Sequence, residues 1–338
     1  MINVRPARSA GCSGKVSVFD LRKLLKDSLT LNGQHGVMIG AGDHDDAAVV
    51  DISEQDMGVL TVDFMHSPVR SPYYFGRLAS AHALNDIYAM GAVPSFGLVI
   101  LGGPASERGV LLREIMRGVS DIAAEDGMSI SGGHTLSTED PICGLAAFGR
   151  PASNIWNNSG CDPGDWIFIS KPIGSALLLQ EQNALDDDAP PIDVRLFSSC
   201  RKEASILRDF QISSATDVSG FGLRYQLGLI ATKSLVTVDV DMDMIPIYGE
   251  SVKAFERGQR VGAVCENGDF FGPITDFPGD TPLMMTYFVD EPQTNGPLLF
   301  TMPDEAARSL IELHPDAGFT CIGRIGPPSG CGVVNFGI

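Results

Sequence analysis

Apolar and polar positions follow two periods along this chain. Short runs that are β-branched or alternate with a period of two predict strands at residues 47–52, 58–64, 96–101, 143–149, 165–170 and 236–240. Longer stretches, with apolar residues three and four apart, predict helices at 18–29, 74–90 and 111–126. The two kinds of element interleave throughout, so the expected fold is α/β (α+β). Residues 151–164 are rich in Asn, Ser, Gly and Pro and predict a linker between an N-terminal and a C-terminal domain. A length of 338 residues suits two such domains. The stretch ALDDDAPP at 184–191 reads as a solvated acidic turn, with a metal site as the rarer alternative.

Composition narrows the functional classes. Hydrophobic residues make up 44% and charged residues 20%, a globular balance that can bury a large core. Lys plus Arg total 24 against 42 for Asp plus Glu, a net charge of -18. Binding of nucleic acid through a broad basic face is therefore excluded. An anionic substrate would need a metal ion between itself and the protein. The seven cysteines are odd in number and widely spaced, with no C-x-x-C, so neither a disulfide framework nor a zinc knuckle is expected. The apolar run at 95–103 is too short to span a bilayer, and the first twelve residues contain no apolar core. A cytoplasmic protein with no membrane partner is expected.

The common nucleotide signatures are missing. There is no G-x-x-x-x-G-K-[ST], and Gly220-Phe221-Gly222 continues to Tyr225 where a third glycine would stand. Any phosphate binding must use another device, and acidic residues at element ends could supply it. Asp45 and Asp46 precede the strand at 47–52. Asp63 sits at the far end of the strand at 58–64, and Asp217 lies in ATDVSGFG, read as a turn feeding a helix. Each alone also reads as a cap or turn former. In the helix at 74–90, Phe75, Ala79 and Met90 share a face with His82 and Asp86, which are four residues apart and can touch. A carboxylate on such a stripe needs a partner or a metal, unless the helix meets solvent there. The N-terminal SAGCSGK places Cys12 three residues from Lys15, whose charge favours a thiolate, although a disordered tail is the plainer reading. Ser131-Gly132-Gly133-His134-Thr135 reads as a turn offering backbone N–H groups to an anion.

Together these segments resemble the selenide, water dikinases, or selenophosphate synthetases, of the aminoimidazole ribonucleotide synthetase-like ATP-binding family. The similar stretches are GCSGKVS, DDAAVVD, TVDFMHSP, FGRLASAHALNDIYAMGAVP, GGHTLSTEDPICGLAAFG, ATDVSGFG and DEPQTNGPLL, spread over nearly the whole chain. The resemblance implies a two-domain fold in which 1–17 is a mobile catalytic loop, 18–155 an ATP-binding and dimerisation domain, and 156–338 a C-terminal α/β domain. It implies a homodimer paired through the N-terminal domains, with ATP at the subunit interface. The implied reaction converts ATP, selenide and water to selenophosphate, orthophosphate and AMP. Cys12 and Lys15 match catalytic positions. Asp46, Asp86 and Asp217 match Mg2+ ligands. Lys15, Asp43, His44, Asp45, Asp63, Asp86, Gly133, His134 and Thr135 match nucleotide-binding positions. A selenium-delivery protein is a further partner the resemblance admits. The chain departs from the family pattern at Gly14, His44, His82, 263–269 and 295–297. An ATP-using relative acting on sulfide or a carboxamide, or a nucleotide-binding paralogue with little catalysis, remain the alternatives.

Overall fold

The computed structural model describes residues 11, 16, 20, 21, 23, 36–40, 42–53, 56–105, 108–185, 190–270 and 272–337. Of the helix predicted at 18–29, the described residues 20, 21 and 23 are helical. The first half is built on β1 (Val37–Ile39), β2 (Ala48–Ser53), β3 (Asp56–His66), β4 (Ala92–Gly103), β5 (Ser129–Ser137) and β6 (Ile142–Pro151). They form one sheet in the order β1-β2-β3-β6-β4-β5, antiparallel except for the parallel pair β4–β5. Helix α1 (Pro72–Ala89) connects β3 to β4, and α2 (Arg108–Asp126) makes the crossover between the parallel strands.

Period-two burial in β3 sets the two faces of this sheet. Val59 and Met65 are buried, and Thr61 and Asp63 stand half-buried on that same side. Leu60, Val62 and Phe64 point the other way and are 42%, 61% and 55% exposed. Helix α1 covers the inner side. It begins at Pro72 under the Ser71 cap, whose hydroxyl accepts the Tyr74 N–H. From Phe75 to Ala89 all but Arg77 and Asp86 are buried. Asp86 itself is half-buried, so α1 opens only narrowly at that point. Glycines let α2 press close: a Cβ at Gly76 would stand 2.0 Å from the Ile115 carbonyl oxygen.

The second half carries β7 (Trp166–Ile169), β8 (Ser214–Asp217), β9 (Val236–Asp241), β10 (Thr275–Asp276), β11 (Leu298–Met302), β12 (Thr320–Pro328) and β13 (Val333–Gly337). Their order is β10-β13-β9-β12-β7-β11-β8. Its helices are α3 (Ser175–Ala184), α4 (Arg201–Leu207), α5 (Gly222–Ser234), α6 (Gly249–Glu256), α7 (Val264–Phe270), α8 (Leu283–Asp290) and α9 (Asp304–Leu313). Here alternate residues enter two cores. Phe168, Leu298 and Phe300 join the core that contains α1 and α2, while Ile167, Ile169 and Leu299 join a second one.

Two expectations are corrected. Residues 131–135 are not a turn but part of β5, because extended backbone lets Gly132 and Gly133 pair alongside β4. Asp217 is not in a turn but is the last residue of β8, paired with Leu298.

Candidate active site

The loop before β2 and the end of β8 meet beside α1. Thr216 on β8 donates its hydroxyl to Asp46 Oδ1 at 2.8 Å, which ties the loop before β2 to the second half. Asp46 Oδ2 is buried and has no hydrogen-bond partner among the described residues. Burial pushes the Asp46 carboxyl well above the usual carboxylate range, and the charges of Asp217, Asp45 and Asp86 push it further. Asp45, Asp86 and Asp217 thus all lie near enough to act on the charge of Asp46, from three separate elements. Asp217 is 2% exposed. Asp86, projecting from α1, accepts a hydrogen bond from the Thr61 hydroxyl on β3.

The loop carrying Asp43, His44 and Asp45 is held from outside. A turn closes as Asp43 N–H donates to the Gly40 carbonyl at 2.9 Å and Gly40 N–H donates to Asp43 Oδ2 at 2.7 Å. His44 adopts φ 52°, and its carbonyl accepts from Asn158 Nδ2 at 2.8 Å. Lys233, in the last turn of α5, donates to the Asp43 carbonyl and to Asn158 Oδ1. Its ammonium lies 4.0 Å from Asp45 Oδ2. Burial raises the Asp45 carboxyl, and Lys233 opposes that rise. Thr216, Asn158 and Lys233 escaped the sequence reading. The available signals were weak: a lysine at the C-terminal end of a helix that opens next to ATDVSGFG, and an asparagine in an Asn-rich linker.

His82 reaches from α1 to β3: its Nε2 is 3.0 Å from Asp63 Oδ2. The backbone N–H of Asn295 donates to His82 Nδ1 at 3.2 Å. Asp63 thus faces the same inner side as Asp86, two residues beyond Thr61 on β3.

Other predicted residues lie elsewhere. Register places Asp63 opposite Leu145, Leu145 opposite Val99, and Val99 opposite Gly133. Gly133, His134 and Thr135 therefore lie three strands from Asp63 in the same chain, about 14 Å at the usual strand spacing. All three are exposed. Cys12 and Lys15 fall outside the described residues, as do the three aspartates at 186–188. Gly11 is described: it is buried at φ 59°, and a Cβ there would stand 2.7 Å from Thr294 Oγ1 and 3.4 Å from Pro68.

Among the described residues, no three His, Cys, Asp or Glu side chains come close enough to hold a metal ion by themselves. The donors nonetheless suit magnesium. All are hard oxygens, one of them a buried carboxylate oxygen without a partner, and magnesium usually keeps waters and takes oxygens from a bound phosphate. Among the described residues, no helix is long and apolar enough to cross a membrane.

Residues 44–150 match the family described as AIR synthase related protein, N-terminal domain, and residues 162–330 match the C-terminal domain of the same family. The fold is shared with solved structures of low identity. A thiamine monophosphate kinase from Aquifex aeolicus superposes with a TM-score of 0.65 at 18% identity, covering 94% of both chains. The hydrogenase maturation protein HypE in complex with ATP gives 0.60 at 18% identity, covering 91% of this chain and 86% of that one. Sequence likeness is closer elsewhere. A selenide, water dikinase from Treponema denticola is 32% identical over 316 residues, 91% of this chain and 88% of that protein. One from Caldanaerobacter subterraneus subsp. tengcongensis is 33% identical over 312 residues, with 90% and 88% coverage. The chain belongs to the AIR synthase related proteins and, within them, to the selenide, water dikinase family.

Proposed function

We propose that the protein is a selenide, water dikinase, which converts ATP, selenide and water to selenophosphate, orthophosphate and AMP. The relatives' names support this reaction. One observation carries the site assignment: the partnerless buried Asp46 Oδ2, facing the charges of Asp217, Asp45 and Asp86. A bare carboxylate 4 Å from a phosphate oxygen would repel it by about 4 kcal/mol at an effective dielectric near 20. Such a site takes a triphosphate only together with divalent cations. When bound, Mg2+ would neutralise the phosphate oxygens and orient them.

The chain's own residues do the rest. Asp46, Asp86 and Asp217 would hold the cations from three elements. Asp63 and the Asp43–Asp45 loop bind the nucleotide, the loop being fixed by Lys233 and Asn158. Lys15 places a positive charge on the phosphoryl group in transfer. The segment carrying Cys12 and Lys15 closes over ATP and excludes water from the γ-phosphate while selenide attacks, with Cys12 guiding the selenium. Selenium takes the γ-phosphoryl group, and water takes the β-phosphoryl group as orthophosphate, leaving AMP.

The working form is a homodimer paired through the outer face of the first sheet. Leu60, Val62, Phe64, Phe96 and Leu98 expose a continuous apolar patch on β3 and β4, two strands either side of β6, of the kind that soluble monomers seldom leave bare. Pairing also accounts for the distance of Gly133, His134 and Thr135 from Asp63, since the edge strand would serve the site of the second copy. A reducing cytoplasm suits the six described cysteines, all free.

Anaerobic incubation with ATP, Mg2+ and selenide, followed by phosphorus NMR, tests the reading. Selenophosphate with matching AMP is expected. ADP without AMP would point to a kinase-like relative acting on another nucleophile, and bound but unchanged ATP to a non-catalytic paralogue. Cys12→Ser should abolish product and leave ATP binding nearly intact.

A further inference from the structure

His82 stands at the centre of the protein with 1% of its side chain exposed, and both ring nitrogens are engaged. Nδ1 faces the backbone N–H of Asn295 at 3.2 Å. A backbone N–H can only donate, so Nδ1 is the acceptor and bears no proton. Nε2 then carries the hydrogen and presents it to Asp63 Oδ2 at 3.0 Å. The hydrogen-bond pattern fixes the ring as the neutral Nε2–H tautomer, wedged between β3 and the segment 291–297.

That segment is itself firmly held. The Asn295 amide donates to the carbonyls of Leu196 at 2.7 Å and Ser198 at 2.9 Å, and its oxygen accepts from Asn85 Nδ2 at 2.7 Å. The buried Lys171 ammonium donates to the Asn295 backbone carbonyl at 3.2 Å. This network overdetermines a non-glycine residue at φ 56°. One residue earlier, Thr294 N–H donates to Ser175 Oγ at 2.8 Å, and Thr294 Oγ1 lies against Gly11. A continuous line of contacts thus runs from Asp63 through His82, Asn295 and Thr294 to Gly11, which directly precedes Cys12 in the sequence.

We propose that His82 is a positioning residue that registers Asp63 against the anchor of the N-terminal segment. The proposal rests on the reading in which Cys12 and Lys15 act on a nucleotide held beside Asp63. One half of the imidazole orients the Asp63 carboxylate, and the other half seats the 291–297 segment on which Gly11 rests.

Histidine-labelled full-length protein, examined by nitrogen-15 NMR at pH 7 without nucleotide, is expected to show a protonated Nε2 and an unprotonated Nδ1 for His82. A protonated Nδ1 or a charged ring overturns the proposal, whatever the protein turns over. Three variants then separate the two halves of the contact. His82→Gln keeps an N–H near the place of Nε2 but loses the acceptor at Nδ1. His82→Asn places an amide oxygen near Nδ1 but falls short of Asp63. His82→Leu lacks both. The KM for ATP should rise about tenfold in the Asn and Leu variants, the cost of one charge-assisted hydrogen bond, and stay near wild type in Gln. The kcat should fall about tenfold in Gln and Leu, through a displaced anchor, and stay near wild type in Asn. Equal losses of both constants in Gln and Asn, or unchanged constants in Leu, would overturn the proposal. Should the Leu variant fail to fold, the Gln–Asn contrast and the tautomer decide. If the wild type makes no selenophosphate, the functional reading falls, while the tautomer still decides the role of His82.

Discussion

The two sheets solve the same burial problem differently. In the second sheet, every residue of β8 and β11 is buried, because neighbouring strands feed two cores. In the first sheet, only the side toward α1 is covered, and the apolar residues of β3 and β4 on the other side stand in solvent. A sheet buried on both faces is complete within its own chain. A sheet with one bare apolar face could seat an apolar partner, which is where the proposed dimer would pair.

The sharpest way to break this contrast is to place a charge in each sheet. Leu299→Asp buries a carboxylate without a partner and should cost several kcal/mol, enough to unfold a domain of ordinary stability. Circular dichroism of the variant should show loss of structure. Val62→Glu combined with Leu98→Glu should leave secondary structure and melting temperature close to those of the parent while converting a dimer to a monomer in sedimentation velocity. A folded double variant that stays dimeric would move the occupant of the bare face elsewhere.

Smaller effects probe the seam between the halves. Lys233→Met removes the cation that holds the Asp43–Asp45 loop from α5 and should weaken binding of Mg-ATP about tenfold by calorimetry. Lys233→Arg should restore part of it. Asp126, at the end of α2, accepts from Ser199 Oγ at 2.9 Å, and burial pushes its carboxyl from 3.8 up to about 6. The folded state therefore holds this proton more tightly than the unfolded state. The stabilisation is full below pH 3.8 and is lost as pH rises through about 6. In that window the slope contributed by this group is about 1.4 kcal/mol per pH unit, and Asp126→Asn should remove it from denaturation curves recorded across pH 4–6.

Much of the first half was legible from the sequence. The strands at 47–52, 58–64, 96–101 and 143–149 appear within a few residues of their observed ends, because burial on one face imposes a clean period; the helix at 74–90, buried nearly all round, shows through its length and its three- and four-residue spacing. Strand β5 was misread because Gly-Gly suggests a turn, whereas here small residues permit close pairing along an edge. Most of the second-half elements were missed: strands such as β8 are short, and α3 and α5 lie in apolar surroundings that blur their period. The acidic residues that gather around Asp46 could be picked out as candidates because carboxylates at strand ends are conspicuous in a chain without phosphate-loop glycines. Thr216, Asn158, Lys233 and Asn295 could not. Their partners lie more than 100 residues away for Thr216–Asp46, Asn158–His44, Lys233–Asp43 and Asn295–His82, so no local pattern points to the contact.

Phe168, Leu298 and Phe300 share their core with α1 and α2, although strands and helices come from opposite halves of the chain. Swinging one half away from the other would strip water-free apolar surface at the very place where the carboxylates gather. The molecule is therefore not a clamshell: its halves are joined by one hydrocarbon core, and Asp46, Asp86 and Asp217 sit above that core.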